Sequence, residues 1–253
     1  MPAPSPSCAV SRSRSRAQAQ LALIGVLFGV TAQAHDLIDA DSAERYLAQA
    51  SRELAVIQST QRPQARADAS YALGRMLDEI RDLLNRDVAA HGRIQGLATE
   101  YLVRELAKKG LALEVKSGLG RYPANIAFYR QALKSSPDAP HAADAMFAWL
   151  QGAFYDSFDA DPLQPRAQPW GELLEQIALA ERLVKRAPAY PDIEEAKFIL
   201  AVLYTRAARS APDRKLAAQY AERARTGARD FQSLYPDSLR TAAMPVLLEA
   251  LPR

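Results

Sequence analysis

Cysteine is all but missing from this chain, and the single example, Cys8, lies within a segment expected to be cleaved away. What remains can form no disulfide and offers no thiolate to a metal or a substrate. Glycine is scarce and β-branched runs are thin, while Ala, Leu, Arg and Glu abound, a balance that favours helix. The motifs Gly-x-Ser-x-Gly and His-Glu-x-x-His do not occur, which removes the serine-hydrolase elbow and the helical zinc-protease site. Gly118-Leu-Gly120-Arg121 lacks both a preceding strand and a following Gly-Lys-Ser/Thr, so it is no phosphate loop.

What is present at the amino end reads as an export leader. Arg12, Arg14 and Arg16 form a positive region, Leu21 to Val30 an uncharged apolar stretch, and Ala32-Gln33-Ala34 a small-residue cleavage site. Ten apolar residues rise only about 15 Å as a helix against a hydrocarbon core of about 30 Å, so cleavage is preferred to anchoring. The arginines never pair, which argues against a twin-arginine signal, and Cys8 lies upstream of the apolar stretch, where no lipid attaches. Cleavage after Ala34 would leave His35 at the terminus of a periplasmic or secreted protein with no stable membrane insertion. The leader carries three arginines and no acid, so the mature chain would hold 29 basic against 29 acidic residues. A neutral protein has no bulk attraction to nucleic acid or anionic lipid.

The remaining 219 residues read as helix nearly throughout, an all-α fold of about nine helices. Leu47, Ala50, Leu54 and Ile57 make one stripe, with Asp41 and Glu44 as its expected capping box. Gln61-Arg62-Pro63 separates it from a second stripe, Leu73, Leu77, Ile80 and Leu84. A third helix is expected from Arg93 to Lys109, stopped by Gly110. Residues 111–123 then read as a linker between a helical bundle, 35–110, and a second domain, 124–253. Leu111, Leu113 and Val115 alternate, but three alternations are too few for a strand. Beyond Ala124 a grammar repeats, in which a helix, a proline with an acidic or small residue, and an alanine-rich helix follow one another. It recurs at Pro137-Asp138, Pro191-Asp192 and Pro236-Asp237, where proline ends one helix and aspartate is expected to cap the next.

At these residues the chain resembles the tetratricopeptide-repeat family. Tyr129, Ala132-Leu133 and Pro137 resemble its second-helix signature, Leu200-Ala201 with Tyr204 its first-helix core, and Leu73-Gly74 a fainter echo of that core. Phe231 to Ser238 is similar to linkers of periplasmic repeat proteins, including the barrel-assembly lipoprotein family. The prolines recur at 54 and 45 residues instead of about 34, and Lys197 stands where the family has tryptophan. The resemblance implies helical hairpins stacked as a short solenoid after the amino-terminal bundle. First helices would line a concave groove, bringing Asp144, Ala148 and Gln151 to one wall and Phe198, Val202, Thr205 and Arg206 to the other. Phe198 would anchor an apolar group, Gln151 bond a main chain, and Arg206 clamp a carboxylate.

Other candidate chemistry is sparse. His35, His91 and His141 read as terminus, helix end and helix surface, with no second nitrogen ligand in sight for a metal. Asp156, Asp159 and Asp161 lack the central glycine and closing glutamate of a calcium loop. Acid pairs such as Asp78/Glu79 and Glu194/Glu195 read as solvated helix faces. No catalytic residue, metal or cofactor is singled out. The function expected is a non-catalytic adaptor for a protein or peptide partner in the cell envelope, the alternative a cell-wall or polysaccharide enzyme on a helical scaffold. A closed pocket holding a carboxylate of raised pKa would favour the enzyme, and an open groove the adaptor.

Overall fold

The computed structural model describes residues 38–115, 120–159, 161–166 and 168–252. The expected leader and His35 lie outside the described residues. Those described form an all-α fold of nine α-helices and one short 3-10 helix, with no strand among them. No helix among them is long and apolar enough to cross a membrane.

Three helices come first: α1 (Ala40–Ser59), α2 (Pro63–His91) and α3 (Leu97–Lys108). The cap of α1 is Asp39, not the expected Asp41/Glu44 box, because its extended backbone lets the carboxylate accept the Ser42 N–H at 2.7 Å. Pro63 opens α2, and Gly92, in the left-handed region, closes it after His91. Gly96 also has positive φ, which is why α3 starts at Leu97 instead of Arg93. At its end the Gly110 N–H bonds Ala107 and the Leu111 N–H bonds Leu106, a left-handed stop that glycine adopts without strain. Both expected stripes face one core, with Leu47, Leu73, Leu77, Ile80 and Leu84 buried. Leu111 and Leu113 point into the same core, and Val115 is exposed. Asn85 receives the Tyr122 N–H at 2.7 Å and donates to the Tyr122 carbonyl at 3.0 Å, pinning the returning chain to α2.

The second part comprises α4 (Ile126–Ser135), α5 (Ala142–Tyr155), α6 (Trp170–Arg186), α7 (Ile193–Ser210) and α8 (Arg214–Leu234). A 3-10 turn (Leu239–Ala243) and α9 (Met244–Glu249) complete it. Each of these α-helices packs on the next, α4 packs on α2, and α7 also touches α5 and α9. The Pro-Asp grammar has one structural meaning throughout. In Ser136–Ala139, Tyr190–Ile193 and Tyr235–Ser238 the fourth N–H bonds the first carbonyl at 3.2, 3.0 and 3.1 Å. Proline and aspartate occupy the two central positions of the same β-turn, where proline's fixed φ is already correct. Aspartate is therefore a turn residue: Asp192 stands at the start of α7 without a side-chain capping bond.

Candidate functional site

Between α2 and α5 runs an open groove of about 1200 Å³. Both helices pack on α4, which lies beneath them and supplies Tyr129 as the floor. The ring of Tyr129 is fully buried and reaches α2 closely because residue 74 is glycine: a Cβ there would stand 3.0 Å from the ring. Gln49, Glu53 and Val56 of α1 extend one wall, and Tyr190 and Asp192 from the α6–α7 turn form the far lip.

The lining is acidic and aromatic. Seven carboxylates face it (Glu53, Asp68, Asp78, Glu79, Asp82, Asp144 and Asp192) against two arginines, Arg75 and Arg81. Arg81 is occupied, bonding Asp78 and Asp82 at 2.8 Å each. Tyr71 stacks flat on His141, centroids 4.7 Å apart, and so bridges the two walls. Phe147 of α5 tilts against Tyr190 at 5.4 Å. Asp144 sits between these ring pairs, 3.7 Å from His141. Burial first, and then the Asp144 charge, raises the pKa of both the Tyr71 and Tyr190 phenols.

Asp78 differs from the solvated residue its sequence suggested. Burial raises its pKa, and the Arg81 charge and the Tyr129 hydroxyl oppose that rise. One carboxylate oxygen accepts from Arg81, and the other accepts the Tyr129 O–H at 2.6 Å. Glu79 accepts the Tyr46 O–H at 2.8 Å. Glu194 and Glu195 are likewise engaged: Ser238 and Arg240 bond the first, and Gln151, Tyr155 and Arg240 the second.

Of the residues expected to bind a partner, Asp144, Ala148 and Gln151 line this groove. Gln151 donates to Glu195 at 3.1 Å, so its amide is already in use within the fold. The other wall is not where the repeat pattern implied. Phe198, Val202, Thr205 and Arg206 are buried, each 2% exposed or less. Two returning segments cover that face of α7. Ala243, Met244 and Leu247 share a core with Phe198 and Val202, and Arg240 lies over the Phe198 ring at 5.9 Å. Thr205 turns its hydroxyl onto the Ala201 carbonyl of its own helix.

Arg206 anchors the chain between α5 and α6 instead of a ligand. Its guanidinium donates to the Pro162 carbonyl at 2.6 Å and to the Ser157 hydroxyl at 2.9 Å, and lies over Phe154 and Phe158 at 4.9 and 5.5 Å. Burial lowers its pKa to about 9, with Asp161 acting in the opposite sense. The acidic cluster beside it does not converge. Asp156 accepts the Ala124 N–H and pairs with Arg121, Asp159 pairs with Arg166, and Asp161 accepts from Leu163 and Gln164. Among the described residues no group of three His, Cys, Asp or Glu could hold a metal ion.

The α2 wall was missed although its stripe is legible. Asp68, Ala72, Arg75, Glu79 and Asp82 follow a helical spacing of 0, 4, 7, 11, 14. A polar stripe looks the same on a solvated face and on a groove wall, so only its neighbours distinguish them. No protein-family model, characterised protein or solved structure matches the chain. Its class is defined by the fold alone: an all-α protein of sequentially packed helices with an open acidic groove.

Proposed function

We propose that the protein is an exported, non-catalytic helical adaptor that holds a segment of a protein partner from the cell envelope in the α2–α5 groove. The observation that carries this reading is the groove itself: open, about 1200 Å³, and walled by the facing sides of two helices laid on a third. Helical hairpins stacked in the manner of tetratricopeptide repeats leave such a surface on their inner side, and a chain segment fits it better than a compact metabolite does. The Pro-Asp turns recurring at three helix junctions support a repeated architecture. Export rests on the leader sequence, Arg12 through Ala34.

Among the described residues, Asp78, with its raised pKa, is the one that favours an enzyme. Both its oxygens are bonded within the fold, to Arg81 and Tyr129, and the groove above is open to water. A general acid would have to break one of those bonds to reach a substrate. The adaptor is the better account. To test it, a photo-crosslinking residue would replace Gln151 or Arg75 in the groove, or the exposed Glu172 on α6, in the exported protein within intact cells. A discrete adduct from the groove positions and none from position 172 is expected. Adducts from position 172 alone would put the interaction elsewhere.

A further inference from the structure

We infer that the groove takes a cationic stretch of its partner, an extended segment bearing arginine or lysine side chains, with Asp144 between Tyr71 and Tyr190 receiving one of them. This rests on the groove reading and adds the chemistry of the occupant. The chain expected after cleavage is balanced, 29 basic against 29 acidic residues, whereas the groove carries seven carboxylates against two arginines. The bias is therefore local. An anionic segment or nucleic acid would be repelled, and an apolar segment would strip water from carboxylates without returning a partner to them.

The protein already holds its own guanidinium groups in this way. Arg223 pairs with Glu181 at 3.0 Å while lying over Tyr204 and Tyr220. Arg130 pairs with Glu175 and lies over Trp149, and Arg240 pairs with Glu194 and Glu195 over Phe198. In each case a carboxylate takes the charge and a ring takes the flat face. Asp144 with Tyr71 and Tyr190 repeats the receiving half of that arrangement, and its side chain is 40% exposed, accessible from solvent. Arg75 interacts with the Tyr71 hydroxyl but remains exposed and, among the described residues, makes no ion pair. Its charge opposes an incoming cation.

The experiment uses the exported protein and three labelled nine-residue peptides in fluorescence anisotropy, alternating alanine with arginine, with citrulline or with glutamate. Citrulline keeps the shape of arginine and removes the charge. The arginine peptide should bind and the other two should not, and a photoreactive group on it should attach to α2 or α5. Asp144→Asn and, independently, Glu53→Gln should each weaken binding about fivefold with the helical spectrum unchanged, the upper range for a half-exposed ion pair. Arg75→Gln should tighten binding severalfold, the opposite of what an anion site would give. Equal binding of the arginine and glutamate peptides, attachment outside the groove, or weaker binding by Arg75→Gln would each overturn the inference. Crosslinking of a cellular partner at position 151 is read separately. If it persists while the arginine peptide fails, the adaptor stands and the cationic occupant does not.

Discussion

Replacing Gly152 by alanine tests how α5 is seated on the chain that enters α4. In a helix interior alanine is more favourable than glycine by about 1 kcal/mol. Here the added Cβ would stand 2.5 Å from the Ala124 Cβ and 3.2 Å from the Ile126 side chain. Carbon atoms rest at about 3.5–4.0 Å, so residues 124–126 must retreat by about 1 Å. They are not free to do so: the Ala124 N–H is bonded to Asp156 at the end of α5, and Arg121 donates to the Tyr155 carbonyl at 2.6 Å. Overpacking of this kind costs about 1–3 kcal/mol beyond the helix gain that it cancels. The expected net loss is therefore about 1–3 kcal/mol, a fall in Tm of roughly 2–12 °C for a chain of this size. Gly227→Ala is the matched control. It lies inside α8, and the nearest atom to its new Cβ is Ala201 Cβ at 3.9 Å, an ordinary contact. That variant should gain about 1 kcal/mol. Differential scanning calorimetry with urea unfolding measures both. A Gly152→Ala protein at or above the wild-type Tm, or both variants moving the same way, would refute the packing argument.

Further outcomes follow from the same contacts. Leu203 is fully buried in α7, so Leu203→Ala should cost about 2–5 kcal/mol in urea unfolding, and a change below about half a kcal/mol would mean that face is not core. Arg206→Ala should cost about 2–4 kcal/mol, because it leaves a void between Phe154 and Phe158 and strips the Pro162 carbonyl of its donor. Arg206→Met, which fills the volume without burying a charge, should be clearly more stable than Arg206→Ala, and equal losses would show that the hydrogen bonds alone matter. Stability should also fall as pH rises above 10, with tyrosinate absorbance lagging behind that of free tyrosine. Burial raises the Tyr46 phenol to about 12 and raises Tyr129, Tyr155 and Tyr204 as well, from an ordinary 10.0. A raised folded pKa stabilises fully below the unfolded value and is lost as pH passes through the folded one. Arg206, whose pKa burial lowers to about 9, acts oppositely above that pH, as one group against several. Normal tyrosine titration in the folded protein would contradict the burial.

Much of the secondary structure was legible in the sequence because helix periodicity and its punctuation are local properties. The stripes through Leu47 and Leu73, the stop at Gly110 and the junctions at Pro137, Pro191 and Pro236 each depend on residues within a few positions of one another. The same local reasoning grouped Asp144, Ala148 and Gln151 correctly as one face of α5, and Phe198, Val202 and Thr205 as one face of α7. It could not say which face stays open. That was decided by segments distant in sequence: the 3-10 turn and α9 over Phe198, and the chain around Pro162 over Arg206. The same non-local packing set Tyr71 of α2 against His141 and turned the polar stripe Asp68 to Asp82 into a wall. Spacing along a helix determines which side chains share a direction. What covers them depends on where the rest of the chain returns, and that is a property of the tertiary structure alone.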